Sequence, residues 1–193
     1  MHKTPRIKGL KISGLERAYD KMHAWFFAYP QDEFTLNDLC KQLEIAKTTA
    51  NMVVAGLKKE GFLEVRVLGK LWRIKANQEH VYFKTRKIPF NLKLAYESGI
   101  LAWIQENIPR AKVIILFGSY RWGDDIPESD LDIAVEISEE KELEIIEGKI
   151  EKFGYRENVK ASIHLFSRKH IDRNLFASMS NGIVLTGFLE VKA

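Results

Sequence analysis

The chain has a single cysteine, Cys40, in 193 residues. An intramolecular disulfide is therefore excluded, as is a zinc site built on several thiolates, and a reducing, cytoplasmic setting fits. Long apolar runs are also missing. None approaches the roughly 20 residues needed to span a bilayer, and the basic opening MHKTPRIKGLKISG has no apolar segment of signal-peptide length. Membrane insertion and secretion are both disfavoured. Internal repeats and low-complexity tracts are absent too. What is there is an ordinary soluble mixture, 46% hydrophobic and 29% charged, enough for one large domain or two small ones.

The net charge of +4 hides a division. Residues 1–88 carry 17 Lys plus Arg against 9 Asp plus Glu, whereas residues 89–193 carry 13 against 17. Such asymmetry points to one part that approaches a polyanion and another that holds cations.

In the basic half, Leu15, Ala18, Tyr19, Met22 and Phe26 fall at helical spacing, and Tyr29-Pro30 ends the run, predicting a helix from Ser13 to about Ala28. Thr35, three residues before Asp38, has the form of a capping box, and Leu36, Leu39, Cys40 and Leu43 continue a second helix. Ala50, Val53, Val54 and Leu57 predict a third, with Gly61 as its C-terminal stop. At 100° per residue the outward face of that helix holds Thr48, Asn51, Met52, Ala55 and Lys59, flanked by Lys47, Thr49 and Lys58. Short polar side chains beside lysines suit a major groove. Two alternating runs, Phe62 to Val67 and Leu71 to Lys75, then read as a hairpin around Leu68-Gly69-Lys70, with Arg66 and Arg73 on its flanks.

Residues 13–76 resemble the winged helix-turn-helix family, most clearly in FTLNDLCKQLEIAKTTANMVVAGLKKEGFLEVR. The resemblance implies binding of double-stranded DNA. Lys47, Thr48, Thr49, Asn51, Met52, Lys58 and Lys59 would enter the major groove, Lys70 would touch the backbone or minor groove, and Lys3, Arg6, Lys8 and Lys11 would form an arm. Winged helices also serve as protein-interaction modules, which is the alternative for this half. The next stretch, NQEHVYFKTRKIPF, lacks clear periodicity and ends at a proline, so the domain junction is expected from about residue 77, between domains at 1–88 and 89–193.

The acidic half reads as helix (Leu92 to Asn107), strand (Lys112 to Phe117), short turn or helix (Ser119 to Trp122) and strand (Leu131 to Ile137). It continues as helix (Glu139 to Phe153), strand (Val159 to Phe166), helix (Arg168 to Met179) and strand (Ile183 to Phe188). Alternating helices and strands predict an α/β or α+β layer. Asp130, Asp132, Ala134 and Glu136 share one face of their strand. Two neighbouring carboxylates repel unless a cation lies between them, and Mg²⁺ takes one or two carboxylates with water and phosphate oxygens. Gly118-Ser119, directly after an apolar strand, lets backbone approach a ligand closely and offers hydroxyl and amide donors to phosphate.

The stretch LFGSYRWGDDIPESDLDIAV resembles the signature of the DNA polymerase beta-like nucleotidyltransferase superfamily, in its minimal nucleotidyltransferase members, over residues 92–188. The resemblance implies that Gly118 and Ser119 hold the triphosphate of an NTP, with Arg121 beside them. Asp130 and Asp132 would ligate Mg²⁺ or Mn²⁺ and, with Ser119, form the catalytic set. Asp124, Asp125 and Glu128 are read as solvated loop residues. One departure stands out: active members place a third carboxylate on a later strand, and here that strand reads VKASIHLF, with Ser162 or His164 at the expected position. Glu136 and Glu157 are the acids within reach of a substitute role.

The expected architecture is two domains, a winged helix-turn-helix (α+β) followed by an α/β nucleotidyltransferase domain whose mixed sheet is flanked by helices. The function this implies is Mg²⁺-dependent transfer of AMP from ATP to a protein acceptor by an antitoxin that regulates its own promoter. Its partners would be duplex DNA, a HEPN-like toxin and a second copy in a homodimer, with no membrane. The alternative is a transcription regulator whose degenerate transferase domain senses nucleotide. Transfer to a small molecule leaves the DNA-binding module without a role.

Overall fold

The computed structural model describes residues 14–69, 71–108 and 110–190. Lys70 and the arm residues Lys3, Arg6, Lys8 and Lys11 lie outside the described residues.

The first half is built from α1 (Gly14–Ala28), α2 (Leu36–Leu43), α3 (Lys47–Lys59) and a hairpin of β1 (Leu63–Leu68) and β2 (Leu71–Ala76). The capping box forms as expected: Thr35 Oγ1 accepts from the Asp38 amide while Asp38 accepts from the Thr35 amide at 2.9 Å. Gly61, at φ +82, ends α3, and the Phe62 amide reaches back to the Leu57 carbonyl. Ala50, Val53, Val54 and Leu57 are buried against α1 and α2. Phe34 bridges to Ile74, which ties the hairpin to the turn before α2.

α4 (Val81–Glu97) corrects the sequence expectation for residues 77–90: the helix runs straight through Pro89. Its buried residues are Phe83, Lys87, Asn91 and Ala95, a strict i, i+4 stripe. Two of the four are polar, so the periodicity is invisible to an apolar count. Phe83 packs into the core of the first half, while Leu92 and Leu94 pack against the core beneath the second. The helix expected over Leu92 to Asn107 is thus the rear of α4 followed by α5 (Ile100–Asn107), separated at Gly99, φ +80.

The remaining elements are β3 (Ala111–Phe117), α6 (Gly118–Trp122), β4 (Leu131–Ile137), β5 (Glu144–Phe153), β6 (Arg156–Phe166), α7 (Arg173–Ser180) and β7 (Ile183–Gly187). The strands form one mixed sheet in the order β5-β6-β4-β3-β7, with β4 and β6 parallel and the other pairs antiparallel. α4 and α5 cover one face and α7 the other. The helix expected over Glu139 to Phe153 is instead β5. Ile146 and Ile150 are four apart, which puts them on one side of a helix and equally on one side of a strand. Pairing decides: Phe153 faces Arg156 across a two-residue turn, with Gly154 at φ +65, and the ladder runs back to Glu144 and Leu165. The same hairpin starts β6 at Arg156 rather than Val159. α7 begins at Arg173 rather than Arg168 because Asp172 caps it, accepting from the Asn174 and Leu175 amides.

Candidate active site

β3 delivers the chain to Gly118, where the backbone turns through φ +70 into α6. Phe117 lies opposite Asp132 in the β3–β4 ladder, so this turn sits against the Asp132 side chain. A Cβ on residue 118 would lie 2.3 Å from Asp132 Oδ2, closer than any real contact. The position therefore requires glycine twice over, for its left-handed backbone and for the space its neighbour's carboxylate occupies. Asp130 and Asp132 bracket Leu131 at the start of β4, both half-buried. Gly118 lies against Asp132, Ser119 follows it in the first turn of α6, and Asp130 and Asp132 stand at the start of β4.

Neither carboxylate has a Lys or Arg partner among the described residues. Asp130 Oδ2 lies 3.4 Å from Ser162 Oγ, which donates to it, and Asp132 Oδ1 lies 3.5 Å from His164 Nε2. Both ring nitrogens of His164 are buried without a hydrogen-bond partner among the described residues, and the ring stands edge-on to Phe117. β4 and β6 pair Asp132 with Ser162 and Ala134 with His164, so these two residues do occupy the neighbouring positions. Among the described residues no three of His, Cys, Asp and Glu converge on one ion position.

The two acids named as substitutes for a third carboxylate do not join the site. Glu136 is buried and holds Arg168 by a two-pronged pair, Nε at 2.9 Å and Nη2 at 3.1 Å. That contact raises the Arg168 pKa further. Glu157 is exposed and faces Lys152 near the far end of β6. Arg121 is directed elsewhere as well: its Nε donates to the Asn181 carbonyl at 2.8 Å and its guanidinium stacks 3.6 Å from the centre of the Trp122 ring.

The loop between the turn and the strand holds the largest correction. Asp124 and Glu128 are exposed, Asp124 pairing with Lys84 on the surface. Asp125, expected to be solvated, is buried at 1% exposure. Its carboxylate accepts from Asn91 Nδ2 at 2.6 Å and lies 2.9 Å from Arg156 Nη2 and 3.2 Å from Lys87 Nζ. Arg156 also donates to the Phe27 and Ala28 carbonyls at the end of α1 and to Tyr120 Oη. Burial pushes Lys87 down to about 8 and Tyr120 up to about 12. Lys87 and Asp125 are 38 residues apart and neither lies in an apolar pattern, so nothing in the sequence flags the pair.

On α3, Lys47, Thr48, Asn51, Met52, Lys58 and Lys59 are exposed and Thr49 is half-buried. These residues belong to the first half of the chain. No helix among the described residues is long and apolar enough to cross a membrane.

No curated protein matched the chain in comparison. A family model did: residues 98–185, which contain the Gly118-Ser119 turn, both aspartates and the strands that carry them, match the model of the nucleotidyltransferase domain.

Proposed function

We propose that the protein transfers AMP from ATP to a hydroxyl on a protein acceptor and that its first half, a winged helix-turn-helix, binds duplex DNA. The observation that carries the transferase reading is the fit of Gly118 against Asp132. The glycine lets the turn lie where a Cβ would meet Asp132 Oδ2, and Asp130, two residues before it, has no Lys or Arg partner among the described residues. Two half-buried carboxylates without a Lys or Arg partner among the described residues suit Mg²⁺ or Mn²⁺ that keeps its remaining positions for water and phosphate. Asp130 and Asp132 would hold that ion. When bound, it offsets the charge that builds on the α-phosphate and on the departing pyrophosphate.

The chain's own groups supply the rest. The Gly118 and Ser119 amides and the Ser119 hydroxyl seat the triphosphate. The acceptor oxygen forms a bond to the α-phosphorus, the α–β bridging P–O bond breaks, pyrophosphate leaves and the hydroxyl proton passes to solvent water. Arg121 joins the phosphates only on release from Asn181. On the DNA side, the exposed residues of α3 and the directly opposed Arg66 and Arg73 on the hairpin support contact with a polyanion. A HEPN-like toxin as acceptor, autoregulation and a cytoplasmic homodimer complete the proposal.

One observation favours a second reading. Ser162 and His164 stand where a third acid would be, which suits a domain that binds nucleotide and senses it without transfer. Incubation with α-labelled ATP, Mg²⁺ and a candidate HEPN-like toxin distinguishes the two. The transferase labels the toxin and Asp130→Asn abolishes the label. Absence of label, with Mg-ATP changing DNA affinity, establishes the sensor instead.

A further inference from the structure

The order of the sheet places the Gly118-Ser119 turn on the β3 side of Asp130 and Asp132, and β6 and β5 on their other side. A cavity of about 270 Å³ opens on that second side, lined by Asp130, Ser162, Lys160, Lys149 and Glu147. In-line transfer needs the nucleophile and the departing pyrophosphate on opposite sides of the α-phosphorus. With the triphosphate seated at the turn, the cavity is where the nucleophile must stand.

The walls of the cavity say what the acceptor carries. Lys149 and Lys160 are direct partners across the β5–β6 ladder, both exposed, and neither has an anionic partner among the described residues. Like charges directly opposite one another destabilise a sheet. An anion brought by a ligand relieves the repulsion. Two rungs along, on the same face, Glu147 stands opposite Ser162, so the cationic pair lies at one end of the cavity rather than spread around it. β5 is also an edge strand of the sheet, ten residues long, and its outer side pairs with no strand among the described residues, so it can accept an extended segment.

Resting on the transferase reading above, we infer that this cavity is the acceptor site and that the acceptor is an extended protein segment with an acidic residue beside its reactive hydroxyl. Lys149 and Lys160 hold the acidic residue, the β5 edge aligns the segment, and the hydroxyl meets the α-phosphorus beside Asp130.

The full-length protein, Mg²⁺ and labelled ATP are offered tyrosine-, serine- and threonine-containing hexapeptides with either acidic or basic flanks, and in parallel a short RNA with a free 3′ hydroxyl. Acidic peptides are expected to take label at least tenfold faster than basic ones. The double substitution Lys149→Glu with Lys160→Glu is expected to raise the KM for acidic peptides at least tenfold while the dissociation constant for Mg-ATP moves less than twofold. Lys149→Met with Lys160→Met, which keeps the side-chain bulk, is expected to melt no lower than the parent and to lose the same preference. Equal labelling of both peptide sets, labelling of RNA alone, no labelling of any probe by protein that binds Mg-ATP, or variants with unchanged preference would overturn the inference. A protein whose Mg-ATP affinity is unaffected by Asp130→Asn overturns the transferase reading itself.

Discussion

At the scale of single residues, the site depends on a glycine whose missing side chain leaves room for a carboxylate. Gly118→Ala forces a side chain into the left-handed region, which costs about 1–2 kcal/mol, and drives its Cβ into the Asp132 carboxylate. The whole protein tolerates that loss, but the carboxylate does not keep its place. Gly118→Ala is therefore expected to lower the melting temperature by a few degrees and to weaken Mg-ATP binding at least tenfold, measured by scanning calorimetry and equilibrium titration. Full retention of binding would detach the turn from the nucleotide. Glu136 makes the complementary point. It shares a strand face with Asp130 and Asp132, yet its two-pronged contact with Arg168 makes it structural. Sequence spacing places an acid on a face but does not say which cation reaches it first.

At the scale of elements, α4 is the part that joins chemistry to packing. Lys87 on its buried stripe has a pKa pushed from 10.5 to about 8, first by burial and further by Arg156, against the opposing pull of Asp125. Between those two values the unfolded chain holds a proton that the folded chain has released, so stability rises with pH across that window and is flat below it from this group. The urea midpoint of the parent is expected to gain on that of Lys87→Met between pH 7.5 and 9.5; parallel pH profiles would show that Lys87 does not titrate there. The same helix shows where sequence reading ends. α2, α3 and β4 were legible because each sets its apolar residues at a single period, β3 because it is an unbroken apolar run, and the Gly-Ser turn and Asp-x-Asp strand because their pattern is local. α4 was not, because Lys87 and Asn91 take core positions by pairing with Asp125 rather than by being apolar. β5 was not, because the spacing of Ile146 and Ile150 fits both periods and only the turn at Gly154 and the ladder to β6 resolve it.

At the scale of the whole molecule, two cores meet along one polar seam. The first is centred on α1, α3 and the hairpin, the second lies under the sheet, and Phe83 and Leu94 carry α4 from one to the other. Across the seam Arg156 binds two carbonyls of α1, Tyr29 donates to the Tyr155 carbonyl at 2.9 Å, and Trp25 meets Tyr155 edge to face. The loop that spaces Gly118 from Asp130 is clamped into the same seam through Asp125. A fragment of residues 98–190, close to the matched nucleotidyltransferase segment, leaves behind Lys87, Asn91 and the α1 carbonyls. It keeps Asp125 and Arg156, charges whose surroundings were built by the missing part. It also loses Leu92 and Leu94, which pack against the core under the sheet; burying one such side chain is worth about 1.5–3 kcal/mol, a large share of the 5–15 kcal/mol that holds a typical domain together. The fragment is therefore expected to be unfolded or aggregated, residues 80–190 to recover part of the native circular dichroism because α4 returns, and residues 14–190 to melt in one transition. Two well-separated transitions in that longest chain would mean that the seam does not couple the halves, and that the loop carrying Asp125 is held from the second half alone.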